Sequence, residues 1–124
     1  MSVFIHFLNG VDLSTQNHYY EKEYRNDVII EIENFFYEVY FFTEAALNYE
    51  MRNDGFFSLP GIIILDEISN DKIFNAVDKL VDLKYFDAFK GKDRSILNSR
   101  FLHTWYENNL SSFPGGNMQS YMLG

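Results

Sequence analysis

The apolar pattern of the chain begins with a segment of strand-forming residues. Residues 3–8, VFIHFL, are apolar or aromatic apart from one histidine, and they end at an Asn-Gly dipeptide typical of turns. Two further strands are predicted for residues 28–33 and 35–42. In a strand, alternate side chains point to opposite faces, and in both segments the acids fall on one of the two faces. Asn34 separates these two strands and favours a tight antiparallel hairpin.

The alternation assigns the hairpin side chains to two faces. One face carries Val28, Ile30, Ile32, Phe35, Tyr37, Val39 and Phe41. The other face mixes acids with apolar and aromatic residues: Ile29, Glu31, Glu33, Phe36, Glu38, Tyr40 and Phe42. If the first face packs inward, the second is either a surface of aromatic anchors ringed by carboxylates, or a second core with glutamates at its rim. Both alternatives hold together if only one end of the second face is covered.

The rest of the chain predicts helices around one more strand. Thr43 is a suitable N-cap for a short helix. Residues 62–65, IIIL, form a continuous apolar run that indicates a buried central strand. Ser69 caps an amphipathic helix predicted over residues 70–85, and apolar residues at three- and four-residue spacing favour a third helix over residues 94–109.

Two segments show no clear period. Residues 11–26 are predicted to be mostly irregular, with at most a short helical turn, and the tail 111–124 is predicted to be loop. The order strand, hairpin, helix, strand, helix, helix predicts an α+β fold with a mainly antiparallel sheet and about three helices packed against it. A length of 124 residues suits a single domain over residues 1–124.

The charge of the chain is negative and uneven. The net charge is −8, residues 1–71 have a balance of −10, and residues 72–100 have a balance of +3. Because phosphates repel such a chain, the sequence predicts no nucleic-acid partner and no anionic membrane partner. An acidic surface attracts and steers a basic protein partner, and the alternative is that the charge serves solubility alone.

Cysteine usage and hydropathy bear on the compartment. The chain has no cysteine, which excludes disulfides, thiol catalysis and cysteine-based zinc sites and fits a reducing cytosol. No apolar run approaches the ~20 residues of a membrane span. The N-terminus lacks the basic segment and the cleavage site of a signal peptide. These features fit a cytoplasmic protein.

The sequence carries few features of catalytic or cofactor sites. The glycine pattern of a phosphate-binding loop and the flanking glycines of a nucleophile elbow are both missing. His103 and Glu107 together supply only two potential metal ligands. Asp66 and Glu67 follow a predicted strand, where a small hydrolase could use them. The sequence predicts a protein that is not an enzyme, with no catalytic residue, no cofactor and no metal site, and a hydrolase is the weaker alternative.

Residues 37–86 contain an aromatic strand, a short helix, the segment GFFSLPGIIIL and a capped helix ending near KYF. In this order of elements the chain resembles the immunity proteins of bacterial contact-dependent growth inhibition, the CdiI type. The resemblance implies a cytoplasmic bacterial protein that neutralises the cognate C-terminal toxin domain of a CdiA-type effector by stoichiometric binding. Such toxins are often nucleases, either RNase or DNase, with basic active sites, and carboxylates of the inhibitor would then replace the phosphates of the substrate.

The sequence predicts a partner-binding surface formed by the hairpin and by the end of the IIIL strand. Its predicted residues are Glu31, Glu33, Glu38, Tyr40, Asp66 and Glu67. Each acid is expected to pair with a lysine or arginine of the basic toxin domain. The alternative function is a small-ligand or carbohydrate-binding module in which tyrosines stack on the ligand, namely Tyr19, Tyr20, Tyr24, Tyr37 and Tyr40.

Overall fold

The computed structural model describes residues 2–97, 102–108 and 117–122. The strands are β1 (Val3–Phe7), β2 (Tyr24–Ile32), β3 (Phe35–Phe42), β4 (Ile62–Ile64), β5 (Leu102–Asn108) and β6 (Asn117–Met122). They form one sheet in the order β4-β3-β2-β1-β5-β6, in which β3 and β4 are parallel and the other neighbours are antiparallel. The helices are α1 (Leu13–Lys22), α2 (Glu44–Glu50) and α3 (Asn70–Asp82), with 3₁₀ turns at Tyr85–Ala88 and Arg94–Leu97. The predicted α+β fold, with a mainly antiparallel sheet and three helices, is confirmed.

One face of the sheet packs against α3 and forms the main core. The buried side chains of α3 recur at helical spacing and contact alternate residues of β1, β2 and β3: they are Ile73, Phe74, Val77 and Val81. Burying each of these side chains contributes roughly 1.5–3 kcal/mol. The Ser69 side chain accepts a hydrogen bond from the Lys72 amide and so fixes the start of α3.

Helix α1 is held to the sheet by a buried arginine. Arg25 is 1% exposed, and its guanidinium carbon lies 4.6 Å from the ring centroids of both Phe7 and Tyr19. Its Nε donates to Asp27 at 2.8 Å and its terminal nitrogen donates to the Gly10 carbonyl at 2.6 Å. A buried charge is stable only when it is paired in this way, so Arg25 ties β2, α1 and the first turn together.

The hairpin and the two capped helices agree with the predicted pattern. β3 spans the predicted residues, and Glu33 and Asn34 form the turn before it with φ values of 52° and 69°. Positive φ at both turn positions gives the twist that tight hairpins require. The Thr43 side chain accepts a hydrogen bond from the Ala46 amide at the start of α2, as predicted for an N-cap.

Two predictions in the first half of the chain are wrong. Residues 11–26 contain the ten-residue helix α1 and the start of β2, although α1 buries a single side chain and therefore has no clear apolar period. Residues 62–64 form β4 at the edge of the sheet, where Ile64 is 49% exposed, so this apolar run is not a central strand. The predicted helix over residues 70–85 is confirmed but ends at Asp82.

The predictions for the C-terminal part are also wrong where the structure describes it. The helix predicted over residues 94–109 is replaced by a 3₁₀ turn and by β5, while residues 98–101 and 109 lie outside the described residues. The tail predicted to be loop contains β6, and its other residues lie outside the described ones. In the part of the chain that the structure describes, no helix has the length and apolarity needed to cross a membrane.

Candidate partner-binding surfaces

The second face of the hairpin is covered at one end by a chain segment that follows α3. Phe36 and Lys92 exchange two backbone hydrogen bonds, of 2.9 and 2.8 Å. The 3₁₀ turn after Lys92 places Leu97 on Ile29 and Phe36, which makes a small second core. Of the two alternatives open from the sequence, the second core holds for this end of the face. Along the rest of the face Phe42 is also buried, whereas Glu38 and Tyr40 are half-buried.

Glu31 lies in the covered part and is only 8% exposed. His6 Nε2 is 2.9 Å from Glu31 Oε1. Burial, helped by the positive charge of Arg94, lowers the pKa of His6 to about 4, so the imidazole is neutral at pH 7 and its Nε2–H can donate to the carboxylate. Burial raises the pKa of Glu31, against a smaller opposite effect of Arg94. Glu31 was predicted to contact a partner, but the structure places it inside the fold.

Glu38 and Tyr40 lie together on the same face, nearer its open end. The Tyr40 hydroxyl donates to Glu38 Oε2 at 3.0 Å, and Lys92 Nζ is 3.1 Å from Glu38 Oε1. Burial, reinforced by the hydrogen bond to Glu38, raises the pKa of Tyr40 and keeps its hydroxyl a donor. Because Lys92 already pairs with Glu38, this carboxylate is a weaker attractor of a basic partner than the sequence suggests.

The other predicted acids are exposed, and they lie at opposite ends of β3. Glu33 occupies the turn before β3, whereas Asp66 and Glu67 follow β4, whose last residue pairs with the last residue of β3. Lys72 Nζ lies 3.0 Å from Asp66 Oδ2, and this hydrogen bond lowers the pKa of Asp66. The six predicted residues therefore do not form one surface. The structure brings together Glu38 with Tyr40, and Asp66 with Glu67.

The segment 43–67, which leaves the end of β3 and returns to it as the edge strand β4, combines exposed apolar residues with carboxylates. Tyr49 is 65% exposed, Phe56 is 70% exposed and Ile64 is 49% exposed. Helix α2 begins just after the β3 residue that pairs with Ile64, and the chain returns to the same end of β3 as β4, so the segment that carries Tyr49 and Phe56 both starts and ends at this edge. We call the set Tyr49, Phe56, Ile64, Asp66 and Glu67 the acidic edge.

The acidic edge belongs to a segment in which acids clearly outnumber bases. Residues 43–67 carry five acids and one base, and that base, Arg52, stacks on the Tyr49 ring at 5.0 Å. The sequence reasoning missed Tyr49 and Phe56 because neither belongs to a periodic pattern. An aromatic residue in a predicted short helix and another in the polar, turn-forming stretch after it are the signal that could identify them.

A pocket of about 250 Å³ lies between β3, the loop before β4 and the 3₁₀ turn at Tyr85–Ala88. Its walls are mainly aromatic and aliphatic, and Glu38, Lys90 and Lys92 supply charge. Tyr37 and Tyr40 line it, as the ligand-binding alternative requires. The other three predicted tyrosines lie elsewhere: Tyr19 is in the core, Tyr24 stacks on Phe42, and Tyr20 is exposed on α1.

Metal-ligand geometry and comparison with known proteins give no indication of function. Across residues 2–97, 102–108 and 117–122, no group of three or more His, Cys, Asp or Glu side chains could hold a metal ion. No protein-family model matches the chain, and no curated protein or solved structure matches it. The resemblance to CdiI-type immunity proteins therefore depends on the order of strand, short helix, strand and capped helix alone.

Proposed function

We propose that this protein binds a basic protein partner through the acidic edge and acts as an immunity protein of the CdiI type. The observation that carries the proposal is the exposed apolar edge of the sheet, bordered by the carboxylates of Asp66 and Glu67, of which Asp66 also pairs with the exposed Lys72. Aromatic and aliphatic side chains supply the contact area that an interface excludes from water. Surrounding acids increase the association rate and select a partner of opposite charge.

The interface differs from the one that the sequence predicts. Glu67 and Asp66 remain its acids, with the exposed Lys72 beside Asp66, and Tyr49, Phe56 and Ile64 join them as apolar contacts. Glu33 and Glu38 contribute to the negative field around the edge. Glu31 acts through the stability of the fold, because it is buried against His6.

The inhibition follows from charge and geometry. A nuclease domain holds its substrate with lysine and arginine side chains that contact phosphates. Carboxylates placed on those side chains occupy the sites of the phosphates, so one bound inhibitor molecule blocks one toxin domain. This mechanism needs no catalytic group on the inhibitor.

The test is a calorimetric titration against the C-terminal domain of the large protein encoded immediately upstream, at low and at high salt. We expect one-to-one, nanomolar binding that weakens with salt, together with loss of that domain's activity. No binding to the folded domain at low salt would contradict the proposal.

A second candidate function is small-ligand binding in the pocket beside β3, and the presence of Tyr37 and Tyr40 in its wall favours it. The expected ligand is a planar ring that stacks on aromatic walls. Screening by tyrosine fluorescence should show saturable binding that changes little with salt. Tyr40→Ala should abolish the response, and Tyr20→Ala, outside the pocket, should leave it unchanged. Equal responses of the two variants would rule out this pocket.

A further inference from the structure

The outer side of β4 presents backbone groups that point away from the sheet. Tyr40 N donates to the Gly61 carbonyl at 3.0 Å, and Leu65 N donates to the Phe42 carbonyl at 2.9 Å. In a strand, alternate residues direct their N–H and C=O groups to the same side. Gly61 and Leu65 therefore face β3, whereas Ile62 and Ile64 face outward.

These outward groups are available for pairing. Within the described ranges, no backbone hydrogen bond reaches Ile62 or Ile64 from the outer side. The strand is only three residues long, and within it there is no proline, lysine or bulge to block pairing. Its outward backbone groups are therefore a short template for a further strand.

The charge around β4 selects which strand can add. Asp66 and Glu67 directly follow the strand and are exposed, and Glu44, Glu50 and Asp54 lie in the segment that leads to it. Like charges on paired strands destabilise the pair, whereas opposite charges stabilise it. A second copy of this chain brings a net charge of −8 to the same edge, so self-pairing is disfavoured.

We propose that an extended, basic segment of the partner adds to the sheet as a further strand beside β4. Its backbone pairs with the outward groups of Ile62 and Ile64, and its lysine or arginine side chains pair with Glu67 and with Asp66, where they replace the exposed Lys72. The inference rests on the proposed function, because it takes the partner to be a basic protein. It adds the mode of recognition, in which backbone hydrogen bonds hold the segment and charge selects it.

A pair of variants at one position isolates the backbone contribution. Ile64→Pro removes the outward N–H without removing a hydrogen bond to β3, and proline is tolerated at such edge positions. Ile64→Ala is the matched control, because it also removes the exposed side chain but keeps the N–H. A difference between the two variants therefore reports on the backbone.

The probe is a synthetic peptide of alternating lysine and threonine, and the control peptide alternates glutamate and threonine. In amide NMR spectra, the lysine peptide should shift the resonances of Ile62 and Ile64, and the glutamate peptide should not. Ile64→Pro should bind the lysine peptide at least about fivefold more weakly than Ile64→Ala, which corresponds to one lost hydrogen bond. Equal affinities of the variants, shifts confined to another surface, or no binding would overturn the inference.

Two further measurements keep the result unambiguous. If Ile64→Pro does not fold, a lysine peptide N-methylated at alternate residues is titrated into the unchanged protein: weaker binding supports strand addition, and unchanged binding overturns it. Sedimentation identifies the other possible occupant, because a dimer of the unchanged protein that Ile64→Pro converts to monomer would show that a second copy fills the edge.

The upstream toxin domain separates failure of this inference from failure of the proposed function. A toxin domain that binds Ile64→Pro and Ile64→Ala equally well would overturn strand addition and leave the inhibitor function standing. A toxin domain that does not bind the unchanged protein would overturn the function itself.

Discussion

His6 and Glu31 form a 2.9 Å hydrogen bond between β1 and β2, although the strand register places His6 opposite Ile29 and Glu31 opposite Phe4. The bond is thus a diagonal contact on the second face of the sheet. The side chains of His6 and Glu31 are only 4% and 11% exposed. An acid that strand alternation places outward therefore belongs to the interior of the fold, and its mutation affects stability before it affects binding.

The first prediction concerns the pH dependence of stability. The pKa of His6 falls from 6.5 in the unfolded chain to about 4 in the fold, so the unfolded state binds the extra proton between these values. We expect the free energy of unfolding to decrease as pH falls through this range, by up to about 3 kcal/mol from His6 alone. Glu31 opposes the decrease, because its raised pKa lets the folded state take up a proton earlier.

Urea unfolding between about pH 7 and pH 4.5 measures this dependence. His6→Gln keeps a hydrogen-bond donor but does not titrate, so the unfolding free energy of this variant should fall less over the same range. The difference between the two proteins removes the contribution of all other acids. If both proteins lost stability in parallel, His6 would not be the group responsible.

The second prediction separates two glutamates that the sequence treats alike. Glu31→Lys places an unpaired cation beside the buried His6 and near Arg94, and we expect it to cost on the order of 3–5 kcal/mol. Glu33→Lys changes an exposed turn residue and should alter stability by less than about 0.5 kcal/mol. Urea denaturation of both variants is the measurement. Equal stabilities would mean that Glu31 is accessible, and the hairpin would return as a candidate interface.

The orientation of residues along the hairpin could be predicted from the sequence, but the cover over the hairpin could not. Strand period alone places Ile29, Glu31 and Phe36 on one face, and the structure agrees. The segment that buries them, through Lys92 and Leu97, comes from far along the chain and has no period that would reveal its docking site. Burial, and with it the role of Glu31, is therefore a property of tertiary contact.

The wrong element predictions have a similar physical origin. Trp105 lies at a spacing of four from a preceding apolar residue, which fits one face of a helix and equally one face of a strand, because four is an even number. Antiparallel pairing of β5 with β1 gives this segment the strand conformation. The IIIL run is apolar although β4 lies at the edge of the sheet with Ile64 half exposed. An apolar run alone therefore does not distinguish an edge strand from a central one.

The third prediction concerns the buried arginine at the start of β2. Arg25→Met removes the ion-pair partner of Asp27, a residue that is only 4% exposed. In the described structure the Asp27 carboxylate then keeps one donor, the backbone N–H of Asn9. The expected cost is about 3–5 kcal/mol, because a buried charge is left without its counter-ion. Removing both charges, with Arg25→Met and Asp27→Leu together, should cost less than the sum of the single changes. A urea-based double-mutant cycle measures the coupling, and strictly additive costs would show that the ion pair is not a unit.

The fourth prediction concerns the close approach of β3 and the turn before β4. Gly61 has φ = 82°, and a Cβ added there would lie 2.6 Å from the Glu38 carbonyl oxygen. Gly55 has a similar φ of 77° but open space around it, so it is a matched control. Gly55→Ala should lower the free energy of unfolding by about 1–2 kcal/mol, the cost of a left-handed backbone conformation for a residue with a Cβ. Gly61→Ala should lower it clearly more, because β4 must also move away from β3. Thermal unfolding compares the two variants, and equal melting temperatures would show that the β3–β4 contact is not tight.

The last prediction tests whether the acidic edge, rather than the overall charge, attracts the partner. Reversing Asp66 and Glu67 to lysine changes the net charge from −8 to −4, and reversing the exposed Glu21 and Asp87 does the same at other places on the surface. Both double variants should fold normally, since exposed charges contribute little to stability. If the edge binds the toxin domain, stopped-flow association should slow more for the edge variant, its dissociation should be faster, and its rate should depend less on salt. Equal slowing by both variants would assign the attraction to net charge and leave the edge without a role in binding.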